Sequence, residues 1–152
     1  MEYLVFSFWF IIIHTVAYTA AGMIALKISK DIYDGKSRLM DYLRDMANKN
    51  ESSHVTKWFI PAQLVRGLLM SIVLYPIVGL LGETSFALRF VFLFGLMFIY
   101  THLSCAAPCA DNIEGFVYMK DRYFKKSTFI KFQFEMITYS LLFSLLAGWL
   151  LF

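Results

Sequence analysis

The sequence predicts an all-α membrane protein, a polytopic up-down bundle of four transmembrane helices with a cytoplasmic amphipathic interfacial helix between spans 1 and 2. Three observations carry this prediction. Of the 152 residues, 59% are hydrophobic and only 16% charged, whereas a soluble domain is roughly half apolar and about a quarter charged. Four apolar runs, at about 3–26, 58–81, 90–110 and 129–152, can each cross a hydrocarbon core about 30 Å thick, which takes roughly 20 helical residues. Stretches within them, such as Phe6 to Ile13, are continuous instead of alternating, and in lipid only helices and closed barrels satisfy the backbone. The chain therefore reads as one membrane domain, 1–152, with loops at about 27–57 and 111–128. Disorder is excluded by the scarcity of polar residues, and two cysteines are too few for a disulfide scaffold.

The first run is longer than the apolar region of a signal peptide, has no basic residue before it and is followed by no small-residue cleavage site, so it reads as a retained span. Ala17, Ala21 and Ala25 fall on one of its faces, a small-residue stripe at which helix backbones can approach closely in lipid. In the loop that follows, Leu39, Met40, Leu43, Met46 and Ala47 recur at helical spacing with Asp41, Arg44, Asp45 and Asn48 elsewhere on the wheel. This spacing predicts an amphipathic helix along the inner headgroup layer, N-capped by Ser37 after the turn signal Asp34-Gly35. Asn48 to Ser53 reads as a polar breaker before the second span.

Pro76 in the second span and Pro108 near the end of the third each remove a backbone donor and predict kinks. The second loop interleaves Phe116, Tyr118, Tyr123 and Phe124 with Lys120, Arg122, Lys125 and Lys126, a composition suited to the headgroup region. Ser127 or Thr128 is the expected cap of the fourth helix, which carries a second small stripe, Ser140, Ser144 and Gly148.

Lysine and arginine set the orientation. Lys27, Lys30, Lys36, Arg38, Arg44, Lys49 and Lys57 lie in the first loop and Lys120, Arg122, Lys125, Lys126 and Lys131 follow the third span, whereas Arg89 alone marks the opposite side. This asymmetry puts both long loops in the cytoplasm and both termini outside, most simply in a bacterial inner (plasma) membrane. The net charge of +3 belongs to these faces, where acids are interleaved, and does not point to nucleic acid.

Ionisable groups inside a span are costly, so His14, Arg66 and His102 are the first candidates for function. Counted from Tyr3 and Phe90, the two histidines lie at nearly the same depth, about 17 Å at ~1.5 Å per residue. Two imidazoles at one level on different helices are the arrangement that ligates haem b, with Arg66 facing a propionate. The plainer reading gives each histidine a neighbouring hydroxyl or carbonyl, with Thr15, Tyr18, Tyr100, Thr101 and Tyr139 available, and lets Arg66 snorkel or pair with Glu135 or Asp111. His102, Cys105 and Cys109 at i, i+3 and i+7 would share one face of the third helix and suit a thiophilic metal, although C-x3-C is not a standard zinc spacing. Asp111, Asn112 and Glu114 form a polar stretch at the exit of the third span, either a small site or a cap and turn. No motif of a known enzyme class is present. The expectation is a membrane protein acting as a homo-oligomer or as a subunit of a larger membrane complex; a haem-, quinone- or metal-binding protein and an oligomeric channel or transporter are the alternatives.

Overall fold

In the computed structural model, residues 2–152 are described, and all their regular structure is helical. In chain order the elements are α1 (Glu2–Ile28), the single turn α2 (Lys30–Tyr33), α3 (Lys49–Leu74), a 3-10 turn (Tyr75–Ile77), α4 (Val78–Glu83), α5 (Phe86–Gly95), which widens into a π-helix (Leu96–Leu103), α6 (Ile113–Tyr118) and α7 (Lys126–Leu150). Four stretches are long and apolar enough to cross a membrane: Glu2–Ile28, Lys49–Glu83, Phe86–Leu103 and Lys126–Leu150.

Their ends depart from the sequence reading in instructive ways. Asn48 begins α3 instead of breaking the chain: its side chain accepts from Asn50 N at 3.0 Å, and the polar residues to Ser53 form the first turns of the helix. At Pro76, where a kink is expected, a 3-10 turn separates α3 from α4, because proline offers no N–H to the preceding turn. The third span ends at Leu103, not Ala110, so Pro108 lies beyond the helix and kinks nothing. Lys125 precedes α7 without a side-chain cap, and Ser127 and Thr128 lie inside its first turn, so neither caps it.

The expected amphipathic helix is absent: residues 34–48 form a folded loop. Gly35 turns the chain at φ 85°, a conformation in which a β-carbon would be strained. The Arg38 guanidinium then donates to the carbonyls of Gly35, Asp41 and Leu43, while Asp45 Oδ1 accepts from the Gly35 and Ala47 amides. These side chains occupy main-chain groups that a helix would need. Instead of lying along a headgroup layer, part of the apolar set turns inward: Ile32, Met40 and Ala110 form a small core flanked by Leu39, Leu43, Met119, Tyr123 and Phe132. Tyr123 Oη donates to Asp41 at 2.6 Å and Lys131 Nζ to Asp31 at 2.6 Å, so the two loops close one end of the molecule together.

Helix α1 packs against both α3 and α7, and α7 against α5, giving the spatial order α3–α1–α7–α5. Between them Phe10, Leu93, Met97, Tyr139 and Phe143 are fully buried, with the Phe10 and Phe143 rings 5.1 Å apart edge to face. Both small-residue stripes are buried within this chain. They do not simply face each other: Gly148 lies against Phe86 and Arg89 of α5, whereas α7 meets α1 through Tyr139 and Phe143.

Candidate functional site

His14 is completely buried on α1. Its Nδ1 is 2.7 Å from the Tyr139 hydroxyl of α7 and its Nε2 is 3.3 Å from Gln63 Oε1 of α3. Because the Gln63 oxygen accepts, Nε2 carries the proton and Nδ1 accepts from Tyr139, so both ring nitrogens are committed to the protein. The Tyr139 hydroxyl also touches Met97 Sδ at 3.4 Å. One polar node thus links α1, α3 and α7 and reaches the third span. Close approach of α3 is allowed by Gly67, where a β-carbon would stand 3.1 Å from Ile11 Cα.

One helical turn from Gln63, Arg66 is half-buried and holds its guanidinium over the Tyr18 ring, 5.2 Å from the centroid. Arg66 takes part in none of the ion pairs among the described residues. Glu135 accepts instead from Tyr33, at 2.9 Å, and Asp111 faces His102. The outer side of Arg66 lines a groove of about 520 Å³ with Trp58, Pro61, Ala62, Val65 and Leu69, an otherwise apolar surface of α3.

The third-span exit is built differently from the expectation. His102 lies in the π-helical segment, a geometry that often marks functional sites. Its Nδ1 is 3.5 Å from Asp111 Oδ2, and its buried Nε2 has no partner among the described residues. Burial holds the Asp111 carboxyl above the usual range, with His102 opposing the shift. Gln133 of α7 donates to the Asp111 carbonyl at 2.5 Å. Asn112 organises the loop: Oδ1 accepts from Cys109 N and Gly115 N, and Nδ2 donates to the carbonyls of Cys105 and Ala107. All four hydrogen-bonding positions of its amide are used. Glu114 is half-buried in the first turn of α6, where a negative charge suits the helix N-terminus.

The sequence candidates therefore fall into separate places. His14 engages α7 at Tyr139, whereas the loop facing His102 engages it at Gln133, and Tyr139 fills the space between His14 and Met97. A shared bis-histidine site within one chain would need both of these nodes undone. Cys105 and Cys109 do not share a helix face with His102, because the helix ends at Leu103 and Asn112 folds the following residues into a loop. Both thiols are free, and burial together with the neighbouring Asp111 pushes the Cys109 thiol up, away from the thiolate. Among the described residues, no group of three or more His, Cys, Asp or Glu side chains is placed to hold a metal ion.

Tyr139 was among the hydroxyls the sequence offered to the histidines, and it is the one His14 takes. Two participants escaped the sequence reading. Gln63 is a single polar group within an apolar run, and only its matching depth with His14 could have singled it out. Arg89 read as a topology charge, yet it is buried at the start of α5 and bound to four carbonyls; its place four residues after the cap Ser85 was the available signal. Comparisons with protein-family models, with curated proteins and with solved structures return no match for this chain.

Proposed function

We propose that this chain is a subunit or assembly partner of a larger complex in an inner (plasma) membrane, docking through the face of α3 around Arg66. The observation that carries this reading is an arginine in the second span lining an apolar groove that opens to the outside, with an aromatic ring as its neighbour and no ion-pair carboxylate among the described residues. A charge at such depth is unfavourable by about 2.5–3.5 kcal/mol on insertion scales. The Tyr18 ring offsets only part of that, about 0.5–2 kcal/mol. A carboxylate on a neighbouring membrane helix supplies the remainder and fixes the register of the contact. The interior supports the same reading, since aromatic side chains and the His14 node fill the space between α1, α7 and α5. The basic residues concentrated at the end closed by the two loops support cytoplasmic loops and outward termini.

Two experiments test this. Resistance of the chain to alkaline carbonate extraction checks its place in the bilayer. A photo-crosslinker at Leu69, 60% exposed beside Arg66, should then trap a membrane partner, whereas one at Val91, 64% exposed on α5, should not. Arg66→Met should abolish the Leu69 adduct and shrink the complex extracted in native nanodiscs. An adduct and complex size unchanged in that variant would end the reading.

A further inference from the structure

The loop-bearing end carries a second groove, of about 490 Å³, between the third-span exit and the start of α7. Leu103, Ile113, Phe116, Phe124 and Phe129 make its apolar walls, and Lys126 stands at its edge. The Phe124 ring touches both Phe116 and Phe129, with centroids 5.4 and 5.7 Å away, so the wall is a continuous aromatic surface. Asn112 also borders the groove, but its amide is fully used inside the loop. The polar group left to face an occupant is the Lys126 ammonium, which enters none of the ion pairs among the described residues.

We infer that this groove holds one anionic phospholipid of the loop-side leaflet, its acyl chain along Leu103 and Phe129 and its phosphate at Lys126. The inference rests on the membrane reading above and on charge complementarity. The groove spans the boundary between the last residue of the third membrane stretch, Leu103, and the first turn of the fourth, where acyl chains give way to headgroups. Among the described residues no acidic one lines it, and Lys125 adds a second exposed cation beside Lys126. The first N–H groups of α7, which lack a side-chain cap, add to the field that favours an anion there. The outward apolar side of α6, with Ile113, Phe116, Val117 and Tyr118 exposed, seats the same edge in the headgroup layer.

The test is native mass spectrometry of the full chain released from micelles that contain equal amounts of phosphatidylglycerol and phosphatidylcholine. One phosphatidylglycerol should be retained about fivefold over phosphatidylcholine, the preference that one lysine near an anionic surface supplies. Lys126→Gln should bring that ratio to near one, while Lys57→Gln, elsewhere in the chain, leaves it unchanged. Phe116→Ser, at a side chain 73% exposed and therefore tolerant of change, should lower retention of both lipids and keep their ratio. Equal retention of the two lipids, a ratio unmoved by Lys126→Gln, or displacement of the lipid by glycerol phosphate alone would each overturn the inference. Carbonate extraction of the membranes from which the chain is purified separates the two failures: a chain that stays in the bilayer without lipid preference removes this inference alone, and a released chain removes the membrane reading with it.

Discussion

Arg89 Nη1 donates a 2.8 Å hydrogen bond to the carbonyl oxygen of Gly148, joining the start of α5 to the last turn of α7. The same guanidinium donates to the carbonyls of Leu81, Gly82 and Thr84 at the end of α4, and lies over the Phe152 ring at 4.9 Å. The last carbonyls of a helix have no partner within it and carry partial negative charge, so one buried cation completes two helix ends at once. Arg89→Met leaves these acceptors without their donor and should destabilise the protein by about 3 kcal/mol. Arg89→Lys should recover only part of that, because an ammonium lacks the planar fork that reaches several carbonyls together. Thermal unfolding in detergent checks both, and equal midpoints for the methionine variant and the parent would show that the clamp does not contribute.

The His14 node makes a second prediction. Tyr139→Phe keeps the ring that packs on Phe143 but removes the hydroxyl facing His14 Nδ1. A buried imidazole acceptor is then left without a donor, which should lower stability by about 1–3 kcal/mol. Gln63→Leu should have an effect of similar size from the other ring nitrogen. Because the two bonds share one imidazole, the double variant should fall short of the sum of the singles. Strict additivity in chemical or thermal unfolding would argue against a coupled node.

The four spans were legible because membrane-crossing composition accumulates over some twenty residues and no single contact decides it. Span ends were not, because single side chains set them. Asn112, bound to four main-chain groups, holds 104–110 out of the helix that hydropathy would extend to Ala110. In the first loop the apolar periodicity put Leu39, Met40 and Leu43 on the face of a helix laid along the headgroups, whereas they pack in a small core with Ile32 and Ala110. Periodicity could not reveal that Arg38 and Asp45 take up the main-chain groups of a helix. Arg89 shows the same limit for charge counting, which assigns a side of the membrane but not burial. Of the site, His14 and Arg66 stood out as ionisable groups in apolar runs, with Tyr18 and Tyr139 among several hydroxyls on offer; which hydroxyl is taken, and that Gln63 joins it, depends on how three helices align.

The Asn112 loop predicts a thiol-reactivity pattern. Cys109 is exposed and Cys105 half-buried, so at a pH high enough to offset the raised Cys109 pKa access decides, and a water-soluble maleimide should modify Cys109 first. Asn112→Ala removes the amide that holds Cys105 O and Ala107 O, and Cys105 should then react faster, by about tenfold if release of the loop is worth roughly 1.4 kcal/mol. Gly115→Ala should do the same for a steric reason, since an added β-carbon would fall 1.5 Å from Cys109 O. Peptide mapping of alkylated protein over time reads both rates. Unchanged Cys105 kinetics in both variants would show that the loop is held by something else.

Asp111 predicts a pH dependence. Its carboxyl titrates above the ordinary 3.8 in the folded protein because burial disfavours the charge, with His102 opposing. A carboxyl whose folded pKa is raised binds protons more tightly in the native state. Its contribution is therefore fully present below 3.8 and is lost as pH rises through the folded value. Asp111→Asn removes the titrating group. The difference in unfolding midpoint between parent and variant should shift in favour of the variant as pH rises through that window and stay flat above it. A difference that shifts the opposite way would show that the ionised carboxylate is the favoured native form.

Close helix contact supplies the last prediction. Ser144 is fully buried, with its hydroxyl donating to Ser140 O at 2.5 Å, and Ala21 is equally enclosed on α1. Neither site has room for branched carbon, so Ser144→Leu and Ala21→Leu should each destabilise by about 1–3 kcal/mol through overpacking. Leu145→Ile, at a position 48% exposed on the same helix, should have little effect. Gly67 grades the argument. A β-carbon there would stand 3.1 Å from Ile11 Cα and 3.2 Å from His14 Cδ2, so Gly67→Ala needs α1 to give by a few tenths of an ångström, whereas Gly67→Leu must separate the helices. The alanine variant should therefore be mildly affected. The leucine variant should lose stability and, by shifting His14 away from Gln63, should also make a further Gln63→Leu change nearly silent. Thermal unfolding of the series checks the order. Bulky variants as stable as the parent would show that close backbone approach at these small residues does not hold the helices together.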